Sequence, residues 1–338
     1  MAVDTSLQYI RTTIRRFTRK PGEDNIATSD IDQKINYFGL YKLPEYTKLM
    51  PLRKTLTWYT QPNVDTYSTN TLDVNDPLYD FKNRYANIHP PVFFAGIQGY
   101  YYQDRGQFYA DWPQINAVDD IGTKGDGATT DFIGTAVSAP MIQRSVVFAS
   151  VDTLGNPIVL VDYPSPLSPI IGNLGPVNQP QTDATLYGSI NYVTGQYDLS
   201  FPTAPGPGAS IYLENINYQP AKPFAMLFYD NTFTIRPVPD NTYVVQINVD
   251  ALPTELLAED QSPDIKQWVD VYALGAALLI FRDDMDMESM AQLQPDFDLA
   301  LALARRPTLI NSANMRTRSF YERKNYNGSW FNGSNWPM

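Results

Sequence analysis

This chain of 338 residues has no cysteine and a single histidine, His89. The first absence excludes disulfides, thiolate metal sites and a cysteine nucleophile. The second leaves little for a common zinc site or a Ser-His pair. Long apolar runs are missing as well: no stretch reaches the length of a membrane span. The N-terminus, with Asp4 and no apolar core, does not read as a signal peptide, so the protein is expected to stay where it is made. What is present in quantity is tyrosine (23) and proline (27), with a modest 18% of charged residues. Such a composition fits broad, partly exposed surfaces whose aromatics become buried on assembly. The length allows a sizeable core and two or three domains.

The charge is unevenly placed. Residues 1–20 carry a net +4 and residues 305–338 a net +5, so the middle carries −20 and the whole chain −11. Basic ends on an acidic body read either as a solvated surface with two basic tails or as a ring. In the ring, an acidic wall lets DNA slide past while the ends dock onto acidic neighbours. Nothing in the sequence points to sequence-specific nucleic-acid recognition.

Helical spacing marks both ends. From Thr5 to Lys20, Leu7, Ile10, Ile14 and Phe17 form an apolar stripe opposite Arg11, Arg15, Arg16 and Arg19, and Pro21-Gly22 stops the helix. Thr28-Ser29-Asp30 reads as the cap of a second helix, with Ile31, Ile35 and Phe38 inward. Near the other end, Ser262-Pro263-Asp264 is a start signal for a helix through Phe281, in which Gly275 and its alanine neighbours allow a close crossing. A further helix is expected from about Met285 to Ala304, interrupted or restarted at Pro295.

The middle reads as β. Leu52 to Thr60 alternates as a strand; Val92–Tyr102, followed by Phe108, Tyr109 and Trp112, reads as a core segment, a ligand-stacking platform or a subunit interface. Ser145–Val151 and Pro157–Tyr163 flank the turn residues Asp152-Thr-Leu-Gly-Asn156 and form a hairpin. A second hairpin turns at Thr194-Gly195, sorting Ile190, Tyr192, Tyr197, Leu199 and Phe201 onto buried faces with Asn191 and Asp198 outward. Ser210–Leu213 adds a strand. The proline-rich run from Pro164 to Thr185 is expected to be a long connection or edge. Short strands with regular turn signals make a small sandwich.

Several chemical motifs are weighed and set aside. Asp283, Asp284, Asp286 and Glu288 could hold Ca²⁺, yet an EF-hand needs glycine and glutamate where Ser289 and Pro295 stand, and a solvated acidic turn is the simpler reading. His89 precedes Pro90-Pro91 and reads as a turn or packing residue. Gly122-Thr-Lys-Gly-Asp-Gly127 lacks the Lys-Ser/Thr of a phosphate loop and reads as a flexible linker. Asn327-Gly-Ser and Asn332-Gly-Ser match glycosylation sequons by chance. No catalytic, metal or cofactor-binding residue is assigned, and no membrane partner. The tail, residues 307–338, shows no regular period but interleaves Arg316, Arg318, Arg323 and Lys324 with Phe320, Tyr321, Tyr326, Trp330, Phe331 and Trp336. A disordered end is one reading; an arm that folds on binding, its aromatics in pockets and its arginines on acids, is the other.

Two strings carry a resemblance. Gly125-Asp-Gly-Ala-Thr-Thr-Asp-Phe-Ile-Gly-Thr135, with Ser145-Val-Val-Phe148, and Gly188-Ser-Ile-Asn-Tyr-Val-Thr-Gly-Gln-Tyr-Asp-Leu-Ser-Phe201 look like an immunoglobulin-like module of tailed-bacteriophage virion proteins. The run Lys222–Pro239 and the helical ends resemble phage head-to-tail adaptor (connector, neck) proteins. The resemblance implies an α+β fold: a helical bundle from the N- and C-terminal segments with a β-hairpin region and an inserted immunoglobulin-like β-sandwich. The expected divisions are N-terminal helices 1–50, a mixed β/loop region 51–124, the sandwich 125–220, a β-hairpin 221–254, C-terminal helices 255–306 and the arm 307–338.

It also implies a non-enzymatic homo-oligomeric ring of twelve copies, joined to the portal protein and to tail or nozzle proteins, with genomic double-stranded DNA passing nearby. The location is the virion neck, after assembly in the host cytoplasm. The arm would insert into the portal, and the portal- or subunit-binding residues are Arg316, Arg318, Phe320, Tyr321, Arg323, Tyr326, Trp330, Phe331 and Trp336. Another virion component (tail-tube, tail-completion or decoration protein) is the alternative. A carboxylate-pair glycan-cleaving enzyme is the third class, and no compact acid pair stands out for it.

Overall fold

The computed structural model describes residues 4–46, 52–182 and 186–313, with side chains through 305. The chain begins with α1 (Leu7–Thr18) and α2 (Thr28–Tyr37), which runs through a π-helical stretch, Phe38–Lys42, into α3 (Leu43–Tyr46). Then come β1 (Arg53–Tyr59), β2 (Thr66–Ser68), α4 (Phe81–Arg84), β3 (Tyr85–Phe94), β4 (Ile97–Tyr102) and α5 (Arg105–Asp111). Eight strands follow: β5 (Ile115–Lys124), β6 (Asp131–Thr135), β7 (Val147–Val151), β8 (Pro157–Pro164), β9 (Ile171–Pro176), β10 (Gly188–Asn191), β11 (Gln196–Ser200) and β12 (Ser210–Asn217). The chain closes with β13 (Ala225–Tyr229), β14 (Thr232–Arg236), β15 (Val244–Ala251), α6 (Val269–Asp283) and α7 (Met287–Ala313).

Two compact units result: Met1–Arg53 with Asp250–Met338, and Lys54–Val249. In the first, Leu7, Ile10 and Ile14 of α1 and Ile31 and Ile35 of α2 are fully buried, and both helices pack on α6. Ser6 caps α1 by accepting from the Tyr9 N–H (3.2 Å), and Arg11 grips Asp32 through two hydrogen bonds of 2.6 and 2.7 Å. The crossing at Gly275 is as close as expected, since a Cβ there would run into the Phe38 ring. Two start signals work differently from expectation. Ala27 precedes α2 without a side-chain cap, and Asp264 instead accepts from the Thr254 N–H and hydroxyl (2.7 and 3.0 Å), so α6 begins only at Val269 after a 3₁₀ turn. Pro295 does not break α7, which continues to Ala313 and takes in the first residues of the expected arm.

The second unit holds the rest. A seven-stranded sheet has the order β1-β15-β3-β4-β13-β14-β2, antiparallel at β3–β4 and β13–β14 and parallel at β4–β13. Its core gathers Leu56, Trp58, Phe94, Met226, Phe233 and Ile247. An eight-stranded sheet has the order β5-β12-β7-β8-β9-β10-β11-β6. Phe148, Leu160, Leu174, Ile190, Leu199 and Leu213 lie in its core. Both hairpins read from the sequence are present, and the five residues assigned inward around Thr194-Gly195 are all buried.

The architecture corrects the expected fold class. Fifteen strands in two curled sheets lie between Arg53 and Ala251 among the described residues, so the protein is mostly β and not a helical bundle with an inserted immunoglobulin-like sandwich. A sandwich needs two facing sheets. Here all eight strands share one continuous ladder, which pairs every inner strand on both sides and curls to bury one face against itself. The proline-rich run is not a mere connection: β9 lies between β8 and β10 as an inner strand, because its paired segment 171–176 has proline only at its last position. The eight-stranded sheet also claims β5, outside the expected 125–220 span, and the 221–254 hairpin is part of the seven-stranded sheet.

Candidate interaction surfaces

The eight-stranded module, residues 115–217, carries nine acids against two basic residues, a net −7. β5 ends the sheet, with β12 on one side and no strand on the other among the described residues. Pairing sets which side chains share its outer face: Tyr212 lies across from Asp120 and Glu214 across from Val118. Val118 is 62% exposed and Tyr212 47%. Asn116 donates to Glu214 at 2.5 Å, and Asp120 accepts from the Gly122 N–H at 2.9 Å. The inward Asp119 accepts from the Ser138 N–H (2.9 Å). Two carboxylates therefore flank an apolar and an aromatic side chain along an open edge, a combination suited to a basic, aromatic-bearing partner.

A second surface lies on the seven-stranded sheet and α5. Asp104 caps α5 through the Gly106 N–H (2.7 Å), and buried Phe108 seats the helix on Ala225 and Leu227. Trp112 meets Phe224 edge-on at 4.9 Å, Tyr100 meets the same ring at 6.3 Å, and the Arg105 guanidinium lies over Tyr109 and Tyr229. Tyr100 and Ile97 remain mostly exposed while Val92 and Phe94 are fully buried, so the run from 92 to 102 is half core and half surface. Period-two alternation across the β3–β4 turn divides it.

Polar groups also lie inside the fold. Asp162 accepts from the N–H groups of Arg144 (2.6 Å) and Val146 (2.9 Å) and from the Tyr192 hydroxyl (2.6 Å). Burial pushes its carboxyl above the usual range against those bonds, and burial followed by the Asp162 charge raises the Tyr192 hydroxyl. Asp65 and Arg236 form a buried ion pair at 2.6 Å. These groups tie strands and loops together: Arg144 and Val146 lead into β7, Asp162 lies on β8, and Tyr192 follows β10. Asp126, in contrast, is fully exposed and held down to about 2 by the Thr129 and Ala128 N–H groups.

The remaining sequence motifs resolve plainly. Asp283 pairs with Lys34 and Asp284 with Lys20 (2.5 Å), while Asp286 accepts from the Ser289 N–H (3.0 Å) at the start of α7. Among the described residues, no group of His, Cys, Asp or Glu could hold a metal ion. His89 is half-buried on β3. Gly122–Gly127 is ordered and not a flexible linker: Gly122–Lys124 end β5, the Gly125 and Gly127 N–H groups donate to the Ala209 and Pro205 carbonyls, and a Cβ at Gly125 would strike the 205–206 backbone. The arm residues Arg316, Arg318, Phe320, Tyr321, Arg323, Tyr326, Trp330, Phe331 and Trp336 lie outside the described residues. Sequence reading missed β5 because its inward residues, Ala117, Asp119 and Ile121, make a weak apolar alternation. No known protein family matches this chain, and no curated protein sequence matches it.

Proposed function

We propose that the protein is a structural component of a tailed-phage virion, the head-to-tail adaptor that joins the portal to the tail. In this reading it assembles as a heterologous ring, of twelve copies by the resemblance, around a channel for DNA in the virion neck. Assembly, not turnover, is its work. The observation that carries the reading is the charge partition: a β module of net −7 and an acidic chain middle between two basic ends. In a ring, each subunit offers a basic end and an acidic face to different neighbours, and head-to-tail contact of unlike surfaces closes the circle. The exposed edge of β5 and the aromatic ledge around Tyr100 supply surface for such contacts. The basic aromatic arm is the segment that reaches a partner, portal or next subunit. Co-sedimentation of the full chain with portal rings of the same particle tests the assignment: a stoichiometric complex supports it, and no binding refutes it.

The mostly β architecture favours one further reading, another virion component of the tail-tube, tail-completion or decoration kind. Such a component would bind tail or capsid assemblies and leave portal rings untouched in the same experiment.

A further inference from the structure

We infer that the cavity between Trp112 and Val238 is a socket for the Leu167 turn of a second copy of this chain, and that two copies exchange these turns reciprocally. The cavity, about 190 Å³, is walled by Trp112, Ile115, Ile142, Ile216, Pro237 and Val238. Arg236 lines it too and is only 7% exposed. Its Nη1 donates to Asp65 (2.6 Å) and to the Ile235 carbonyl (2.9 Å), while Nη2 is buried without a partner among the described residues. Tyr218, another lining residue, feels the charges of both Asp65 and Arg236, so the ion pair lies at this wall. Asp65 already neutralises the guanidinium. The unpaired N–H therefore calls for a neutral acceptor such as a peptide carbonyl, because a carboxylate entering here would meet Asp65.

The turn from Pro164 to Pro169 has that chemistry. Leu167 at its tip is 93% exposed, and no residue from Tyr163 to Thr182 is charged. Pro164, Pro166 and Pro169 have no N–H, and the others are bonded: Ser165 to the Ile171 carbonyl, Leu167 to the Ser165 hydroxyl and Ser168 to the Ser165 carbonyl. The Pro166 and Leu167 carbonyls accept nothing among the described residues. Covering this tip thus buries an aliphatic side chain and two free acceptors without orphaning a donor. No other tip matches it. Of the large apolar side chains at least as exposed as Leu257, Leu72, Ile133, Leu154, Met285 and Leu257 itself stand within two residues of a carboxylate, and Val137 adjoins Ser138, whose N–H Asp119 holds. Gln143 donates to the Pro169 carbonyl and its neighbour Ile142 lines the cavity, so turn and socket lie side by side. A two-fold axis between them sets each turn on the other copy's socket, the self-complementary contact of a closed pair. Such a pair is additional to the ring reading and does not rest on it.

A chain without cysteine makes the contact directly testable. Ser168→Cys in the turn and Gln114→Cys at the exposed rim of the socket leave Leu167 and the apolar wall intact. The two full-length variants are mixed in equal amounts, treated with a short bis-maleimide and read by mass spectrometry. The expected main product joins position 168 of one copy to position 114 of another, with little of the 168–168 and 114–114 products. In sedimentation equilibrium, Leu167→Asp is expected to keep the melting temperature, since the side chain is exposed, and to weaken self-association about tenfold or more. Leu154→Asp, at another exposed tip, should leave association unchanged. A random mixture of the three cross-linked products, a chain that stays single at every concentration, unchanged association of Leu167→Asp, or equal weakening by Leu154→Asp overturns the inference. Loss of portal co-sedimentation sinks the adaptor reading alone, because the pair forms without portal.

Discussion

At the scale of single residues, the tightest constraint is the crossing at Gly275. The Phe38 ring that a Cβ would strike is itself fixed, edge-on to Tyr272 (6.0 Å) and Phe297 (5.9 Å). Gly275→Ala is therefore expected to destabilise the helical unit by about 1–3 kcal/mol despite the better helix propensity of alanine. The urea midpoint measures this, and an unchanged or higher midpoint would mean that the helices separate freely. Asp162 makes a prediction of opposite character. Its folded pKa is raised, so the folded protein holds the proton more tightly than the unfolded chain does. Its contribution favours the fold most at low pH and declines as pH rises from the ordinary aspartate value, about 3.9, through the raised one. Relative to Asp162→Asn, the wild type should lose stability across that window; a pH-independent difference would contradict the assignment. Tyr192→Phe removes one donor from the buried carboxyl and is expected to cost about 1–3 kcal/mol in thermal or denaturant unfolding.

Single elements show where local sequence decides structure. Gly188 opens β10 with φ +92°, and a Cβ there would collide with the Asp198 carbonyl of β11. Gly188→Ala should therefore disrupt the β10–β11 hairpin and cost about 1–3 kcal/mol. Amide exchange confined to residues near 188–199 would locate the damage there. The same hairpin was legible in the sequence because its apolar residues alternate cleanly about a Thr-Gly turn. The β7–β8 hairpin was legible for the same reason, and so were the stripes of α1 and α2. What sequence patterns hid was pairing at long range. β9 is an inner strand although prolines crowd around it, and β5 belongs to the eight-stranded sheet although its inward face includes Asp119. Neither fact follows from period or propensity, because each depends on which distant strand supplies the partner. The immunoglobulin-like sandwich failed on the same point: short alternating strands are common to sandwiches and curled single sheets, and the ladder alone separates them. Of the candidate surfaces, the aromatic run near Tyr100 was visible as composition, but its division into core and ledge was not.

At the scale of the whole molecule, charge is the organising feature. In the proposed ring, a net −20 between residues 21 and 304 and basic segments at both ends would make neighbours repel through like faces and attract through unlike ones. Assembly through those contacts should weaken as salt rises, since the screening length falls to about 10 Å at 0.1 M and about 3 Å at 1 M. Sedimentation velocity over that range would register the change, and salt-independent assembly would assign the contacts to the apolar ledge instead. The central claim, a ring built on a portal, is tested most directly by the mass of the full-length protein alone and after mixing with portal rings of its own particle. The account predicts a discrete ring-sized complex with the portal at fixed stoichiometry. A stable trimer indifferent to the portal would contradict it.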